Sequence, residues 1–254
     1  DHLWIYYGNP VAEGDTQPAE VWPDPFVGVW HLEDDPLDST GNGNDAVPGG
    51  STSPAAGQLA NGRDFASTDA RLDVAAEPSL EGIFAGGGTV SAWIRPRSWG
   101  GNAFGRIVDK ASPDAGWQFF TSDPGVLHLS VVFEPGSSVG WATPEGLVSL
   151  DRWTYVAATY DALGVQLPRL YVDGVEQVLA EPDGQPVVER FPLDLEIPLV
   201  VGNREDGTRR FDGIIDELRI ERTQRSAEWI GMQYDSTRDA LLEYGPIESW
   251  GGPA

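Results

Sequence analysis

The stretch 211–222, Phe-Asp-Gly-Ile-Ile-Asp-Glu-Leu-Arg-Ile-Glu-Arg, reads as a β-strand with a carboxylate among its apolar residues. Ile214, Leu218 and Ile220 share one parity, and Ile215, Glu217, Arg219 and Glu221 take the other. Asp216 falls with the isoleucine and leucine set. A carboxylate there is stable only if it is paired, hydrogen-bonded or bound to a metal. A second group of oxygen donors runs from Asp38 to Asp45 as Asp-Ser-Thr-Gly-Asn-Gly-Asn-Asp. Carboxylates, amide carbonyls and backbone carbonyls in a glycine-rich loop are the ligands that a hard cation such as calcium takes. The spacing is not that of an EF-hand, because the later bidentate glutamate is missing. The same Asx and Gly residues are also ordinary turn formers, and Asp216 has arginines and backbone donors as alternative partners.

Other chemistries find less support. A retaining glycosidase needs carboxyl groups about 5–5.5 Å apart. On a regular strand Asp216 and Glu217 point to opposite faces, and Glu217 and Glu221 lie roughly 13 Å apart at about 3.4 Å per residue. Glu217, Arg219 and Glu221 therefore read as a solvated or cross-strand charged row, with no catalytic pair among them. His2, His31 and His128 are dispersed without metal-ligand spacing. There is no cysteine, no Gly-x-Ser-x-Gly elbow and no phosphate-binding Gly-Lys motif. Trp99, in Arg-Ser-Trp-Gly-Gly, and Trp141, in Val-Gly-Trp-Ala, are candidate sugar platforms, since an indole face stacks on the apolar face of a pyranose; partial burial under a loop is the competing expectation.

The elements that position these residues are β-strands. Gly 31 and Pro 20 interrupt the chain too often for long helices, and Trp 10, Tyr 7 and Phe 9 favour packed sheets. Strands are expected at 71–74, 89–95, 105–110, 117–121, 126–133, 153–160, 169–172, 199–201 and 211–222, with Asp173-Gly174 closing a hairpin. One helix is expected at 226–234, with Ser226 as its N-cap. Leu-Trp-Ile-Tyr-Tyr at 3–7 is a further strand signal, stopped by Gly8-Asn9-Pro10. Residues 11–25 read as a linker, so that the main body starts at Phe26.

Charge narrows the partners. A net charge of −24 argues against nucleic acid and against an anionic membrane surface. Lys110 is the only lysine among 16 cationic side chains. No apolar run is long enough to span a bilayer.

Six segments in order carry a family resemblance: Gly28-Val-Trp-His-Leu32, Asp38 to Asp45, Thr89-Val-Ser-Ala-Trp-Ile-Arg-Pro96, Trp153-Thr-Tyr-Val-Ala-Ala-Thr-Tyr160, Leu170-Tyr-Val-Asp-Gly174 and Phe211 to Ile220. Together they resemble the LamG (laminin G) type of the concanavalin A-like superfamily over residues 26–245. The opening Trp4-Ile-Tyr-Tyr-Gly-Asn-Pro10 is similar to the end of a DUF2341-type module, which would make residues 1–25 the tail of a preceding unit plus linker, and 246–254 a tail or the start of the next linker.

The resemblance implies an all-β jelly-roll sandwich of two antiparallel sheets. It also implies a structural calcium near the acidic loop and the penultimate strand, which would bring Asp38, Asn42 or Asn44, and Asp216 around one ion. The expected function is non-catalytic recognition or adhesion within a larger extracytoplasmic bacterial protein. Its partners would be a glycan or protein and the neighbouring domains of the same polypeptide. A purely architectural module is the alternative, and a polysaccharide-active enzyme ranks third.

Overall fold

The structure, a computed structural model, describes residues 18–134, 137–163, 166–180, 194 and 196–240. The expected strand at 3–7, the similarity to a preceding module and the tail at 246–254 lie outside these residues. Two antiparallel sheets face each other across one core. The first uses β1 (Phe26–Trp30), β3 (Ser53–Ala56), β4 (Asn61–Asp64), β6 (Gly88–Pro96), β11 (Thr154–Tyr160), β12 (Arg169–Val172), β13 (Val175–Gln177) and β15 (Gly213–Glu221). The second uses β2 (Ala46–Pro48), β5 (Leu72–Val74), β7 (Phe104–Ala111), β8 (Gly116–Ser122), β9 (Val126–Glu134), β10 (Ser137–Ala142) and β14 (Leu199–Val201). The strand order is β13-β12-β11-β6-β15-β4-β3, with β1 also on β15, in the eight-stranded sheet, and β10-β9-β8-β7-β14-β5-β2 in the seven-stranded one. This bears out the all-β jelly-roll expectation.

Alternation of side chains builds the core. On β8 and β9, Trp117, Phe119, Leu127, Leu129, Val131 and Phe133 point inward, and Gln118, Phe120, His128 and Ser130 take the other parity. Trp30, Trp141, Phe65 and Phe84 fill the same core without exposure. A second, smaller apolar cluster lies on the outer face of the eight-stranded sheet. There Trp93, Tyr155 and Tyr171 are covered by Ile230 of helix α2 (Ala227–Thr237). Ser226 caps that helix by accepting the Trp229 N–H. Asp173 and Gly174 have φ of 50° and 77°, the left-handed pair that a tight two-residue hairpin needs. The segment expected as linker includes a short helix, Pro18–Val21, and Trp22 of the same segment packs edge-on against Phe26 with ring centroids 5.0 Å apart.

One strand departs from its sequence pattern. In β15 the register slips between Asp216 and Arg219, and Glu217 has φ of 51°. This β-bulge reverses the parity mid-strand. Ile215, Leu218 and Ile220 enter the core, while Asp216, opposite Trp93, turns to the outer face with Ile214. Asp216 is thus fully buried, as expected, but on the side away from the core.

Candidate functional site

The outer face of the seven-stranded sheet carries its polar residues in register. Asp73, Val200, Asp109, Gln118, Ser130 and Gly140 form one row across six strands. Arg106, Phe120, His128 and Ala142 form the next. Arg106 Nε donates to Asp109 at 3.0 Å, its Nη2 donates to Gln118 at 2.9 Å, and Arg204 Nε reaches the same Asp109 oxygen at 3.4 Å. Burial pushes the Asp109 carboxyl up, and it lowers the Arg106 guanidinium to about 10, against the pull of Asp109. The Arg106 guanidinium lies 4.0 Å from the centroid of the Phe120 ring, and His128 stacks parallel to that ring at 4.5 Å.

A cleft of about 670 Å³ opens at one end of this face. Gln118, Ser112, Ser138, Arg204, Glu196 and Asp206 give it hydrogen-bonding groups, and Pro113, Val132 and Pro198 give it apolar walls. A few convergent polar groups on an apolar frame form the usual composition of a ligand site. The mixed donors and acceptors suit a hydroxyl-rich or peptide surface.

Among the described residues this face shows no complete Ser-His-carboxylate triad. Ser122 Oγ and His128 Nε2 lie 2.7 Å apart, but among the described residues no carboxylate bonds to the imidazole to orient it. Burial and the nearby Arg106 charge lower His128 to about 4, which leaves it a weak base.

The sequence-nominated residues separate into three places. Asp38, Asn42 and Asn44 share one loop. The Asp38 carboxylate accepts from the Val29, Thr40 and Asn44 N–H groups and from the Thr40 hydroxyl, at 2.7–3.0 Å. The Asn42 and Asn44 amides donate to Val27 O, and Asn44 Oδ1 accepts from Ser79. Asp216 shares none of these partners. Its Oδ2 accepts the Gln58 and Leu59 N–H groups at 2.8 and 2.9 Å, under the turn between β3 and β4. Gly57 and Gly62 permit that approach, because a Cβ at either position would fall within 3.0 Å of the aspartate side chain.

The four expected calcium ligands thus do not form one oxygen cage, and the lone pairs of Asp38 already face protein donors. Among the described residues no group of three or more acidic or histidine side chains is placed to hold a metal ion. The loop is a hydrogen-bonded knot, and the Asx turn chemistry is what the structure uses.

Of the two tryptophans, Trp99 takes the partly buried place of the competing expectation, and Trp141 departs from both readings. Trp141 lies on β10, fully buried beside Tyr160 with ring centroids 5.2 Å apart, so neither indole face is open to a sugar. Gly140 made its segment look like a loop, whereas pairing with β9 makes it a strand. Trp99 is partly buried against the core. The sequence reading missed the cleft because its residues come from six separate segments, none with a motif of its own.

The charged row of β15 is buried and internally paired, contrary to the solvated alternative. Glu217 accepts from His31 and Arg219 at 2.6 Å each, and Glu221 pairs with Arg225. Trp22 covers Arg219 with 4.7 Å from ring centroid to guanidinium. Burial opposes the charge on Glu217, but His31 and Arg219 outweigh it and hold the carboxyl below its usual range. The hydrogen bond to Glu217 raises His31 in turn. Among the described residues no cation pairs with Asp216. Burial, with the charge of Glu217 adding to it, pushes its carboxyl up to about 7.

Comparison with known proteins agrees with this architecture. The family model described as the concanavalin A-like lectin/glucanases superfamily, of the laminin G type, matches residues 66–231, well over half of the chain. The chain belongs to this superfamily. No curated protein matches it in sequence. Among solved structures, this superfamily member is similar to the binding domain of Paraclostridial Mosquitocidal Protein 1, with 17% identity and a TM-score of 0.66, covering 84% of this chain and 52% of that one. It is also similar to the receptor binding domain of botulinum neurotoxin C/D mosaic serotype, with 16% identity, a TM-score of 0.66, and 84% and 51% coverage. The binding domain of botulinum neurotoxin DC in complex with SialylT follows, at 13% identity and a TM-score of 0.64, covering 84% and 52%. The chain spans about half the length of each of these structures. At such identities the likeness concerns the fold. No helix among the described residues is long and apolar enough to cross a membrane.

Proposed function

We propose that this superfamily domain is a non-catalytic recognition module of a larger extracytoplasmic protein. It takes a glycan or a protein surface at the cleft on the outer face of its seven-stranded sheet. The observation that carries the reading is the cleft itself: Gln118, Ser138 and Arg204 supply donors, Glu196 and Asp206 supply acceptors, and apolar walls frame them. The solved structures of similar fold are binding domains by their descriptions, which is consistent with such a role.

The test is a glycan and extracellular-protein array probed with the intact chain and with Arg204→Ala and Gln118→Ala variants. Binding that drops at least tenfold in both variants supports the cleft. Binding that persists unchanged moves the site elsewhere. Turnover of any arrayed polysaccharide would overturn the non-catalytic part.

A further inference from the structure

Lys110 is the only lysine of the chain and one of its most deeply buried charged side chains, with 1% exposure. It stands on the core side of β7, opposite Trp117. Its Nζ donates to the carbonyls of Asp194 and Ile197 at 2.7 and 2.8 Å, and it lies 3.6 Å from Asp194 Oδ2. Asp194 is buried to the same degree. Its Oδ1 accepts the Gly82 N–H at 2.7 Å, while its Oδ2 has no hydrogen-bond partner among the described residues. An amine and a carboxyl group therefore sit side by side out of water, one carboxyl oxygen anchored by a backbone donor and the other facing the nitrogen. We infer that Lys110 and Asp194 become joined by an intramolecular amide bond between Nζ and Cγ.

The step balances without a further reactant. A proton passes from the ammonium to Oδ2, giving a neutral amine and a carboxylic acid. Burial favours this transfer, since desolvation already lowers the lysine below its usual range. The Nζ lone pair then attacks Cγ, and the charge that develops on Oδ1 is held by the Gly82 N–H. The C–Oδ2 bond breaks, and Oδ2 leaves as water with its own proton and one shed by the nitrogen. Fixed proximity supplies the effective concentration that the same reaction lacks in solution. The amide nitrogen keeps one hydrogen, for which the Ile197 carbonyl is the acceptor. The bond would tie β7 to the segment leading into β14, 84 residues further along the chain.

A single lysine makes the test binary. The purified full-length chain is denatured and treated with a lysine-specific endoprotease. An unlinked chain is cut once, after Lys110, into two fragments. A linked chain resists the cut, and its intact mass is lower than the sequence mass by one water.

Succinimides at Asp-Gly pairs such as Asp173-Gly174 or Asp206-Gly207 also lose water, but they leave Lys110 cleavable. An arginine-specific digest must also contain one branched peptide carrying both Lys110 and Asp194. Lys110→Arg and Asp194→Ala return the mass to that of their sequences. Asp194→Asn reaches the same product by losing ammonia instead of water. Complete cleavage of the wild-type chain after Lys110, with an unshifted mass, would reduce the pair to a buried ion pair and overturn the inference, whether or not the variants fold.

Discussion

The outer faces of the two sheets start from the same alternation and end differently. On the eight-stranded sheet, α2, Trp22 and the β3–β4 turn close over the strands, and several polar groups beneath are partnered from within: Tyr155 by Gln233, Trp93 by Thr237, and Glu217 by His31 and Arg219. On the seven-stranded sheet a comparable set, Arg106, Asp109, Gln118 and Arg204, runs out to a cleft. Cover turns polar residues into structure, and its absence leaves them for a ligand. The covered face therefore bears on stability, and the open one is where the proposed recognition would act.

The sharpest separation comes from deleting matched aromatics. Trp93→Ala removes a ring packed on Tyr155 and Tyr234 at 5.5 and 5.6 Å, and a loss of about 3–5 kcal/mol is expected in chemical denaturation. Phe104→Ala, on the open face and 41% exposed, is expected to lose about 1 kcal/mol or less. Equal losses would abolish the contrast.

Charge deletion follows. Arg219→Met leaves Glu217 buried with His31 alone and is expected to lower stability by about 3 kcal/mol. Arg204→Ala leaves Asp109 with Arg106, so a change within about 1 kcal/mol is expected.

The pH dependence should have opposite signs at one buried group on each face, Asp216 and His128. Asp216 has a folded pKa of about 7 against 3.8 for an ordinary aspartate. Below about 3.8 both states hold the proton. As pH rises toward 7 the unfolded chain releases it first, so this site removes stability across that window. His31, raised by Glu217 on the same face, likewise loses its contribution as pH rises. His128 on the open face is depressed to about 4 from 6.5, so it removes stability as pH falls between those values. Denaturation midpoints from pH 4 to 7 should therefore gain on the alkaline side in Asp216→Asn and on the acid side in His128→Gln. A profile unmoved by either change would show that burial of these groups carries no proton linkage.

The smallest effect is at the helix that forms the cover. Ser226→Ala should cost about 1 kcal/mol in thermal unfolding, through loss of the cap on the Trp229 N–H.

What could be read in advance follows from where the information resides. The expected strands at 89–95, 117–121, 126–133 and 169–172 appear within a residue or two, because each is rich in aromatic and branched apolar side chains and is bounded by turn residues. Ser-Pro-Ala-Ala and Asn-Gly-Arg-Asp, which form β3 and β4, have no such alternation and were not legible as strands. The burial of Asp216 could be anticipated from its apolar neighbours. Its direction could not, because the bulge is a backbone conformation at Glu217 that composition does not encode. The cleft was hidden for a different reason, since long-range pairing alone brings Ser112, Gln118, Ser138 and Arg204 together.

That bulge also sits where β15 changes partners along one edge, from β4 at Ile214 and Ile215 to β1 at Leu218 through Glu221. Its extra residue works as a phase shifter. Straightening the strand with that residue kept would seat Ile215 inside and turn Leu218 and Ile220 outward, whereas deleting it would leave all three on the core side. Deletion of the bulge residue should thus disturb the facing of this strand less than a single insertion or deletion elsewhere along it.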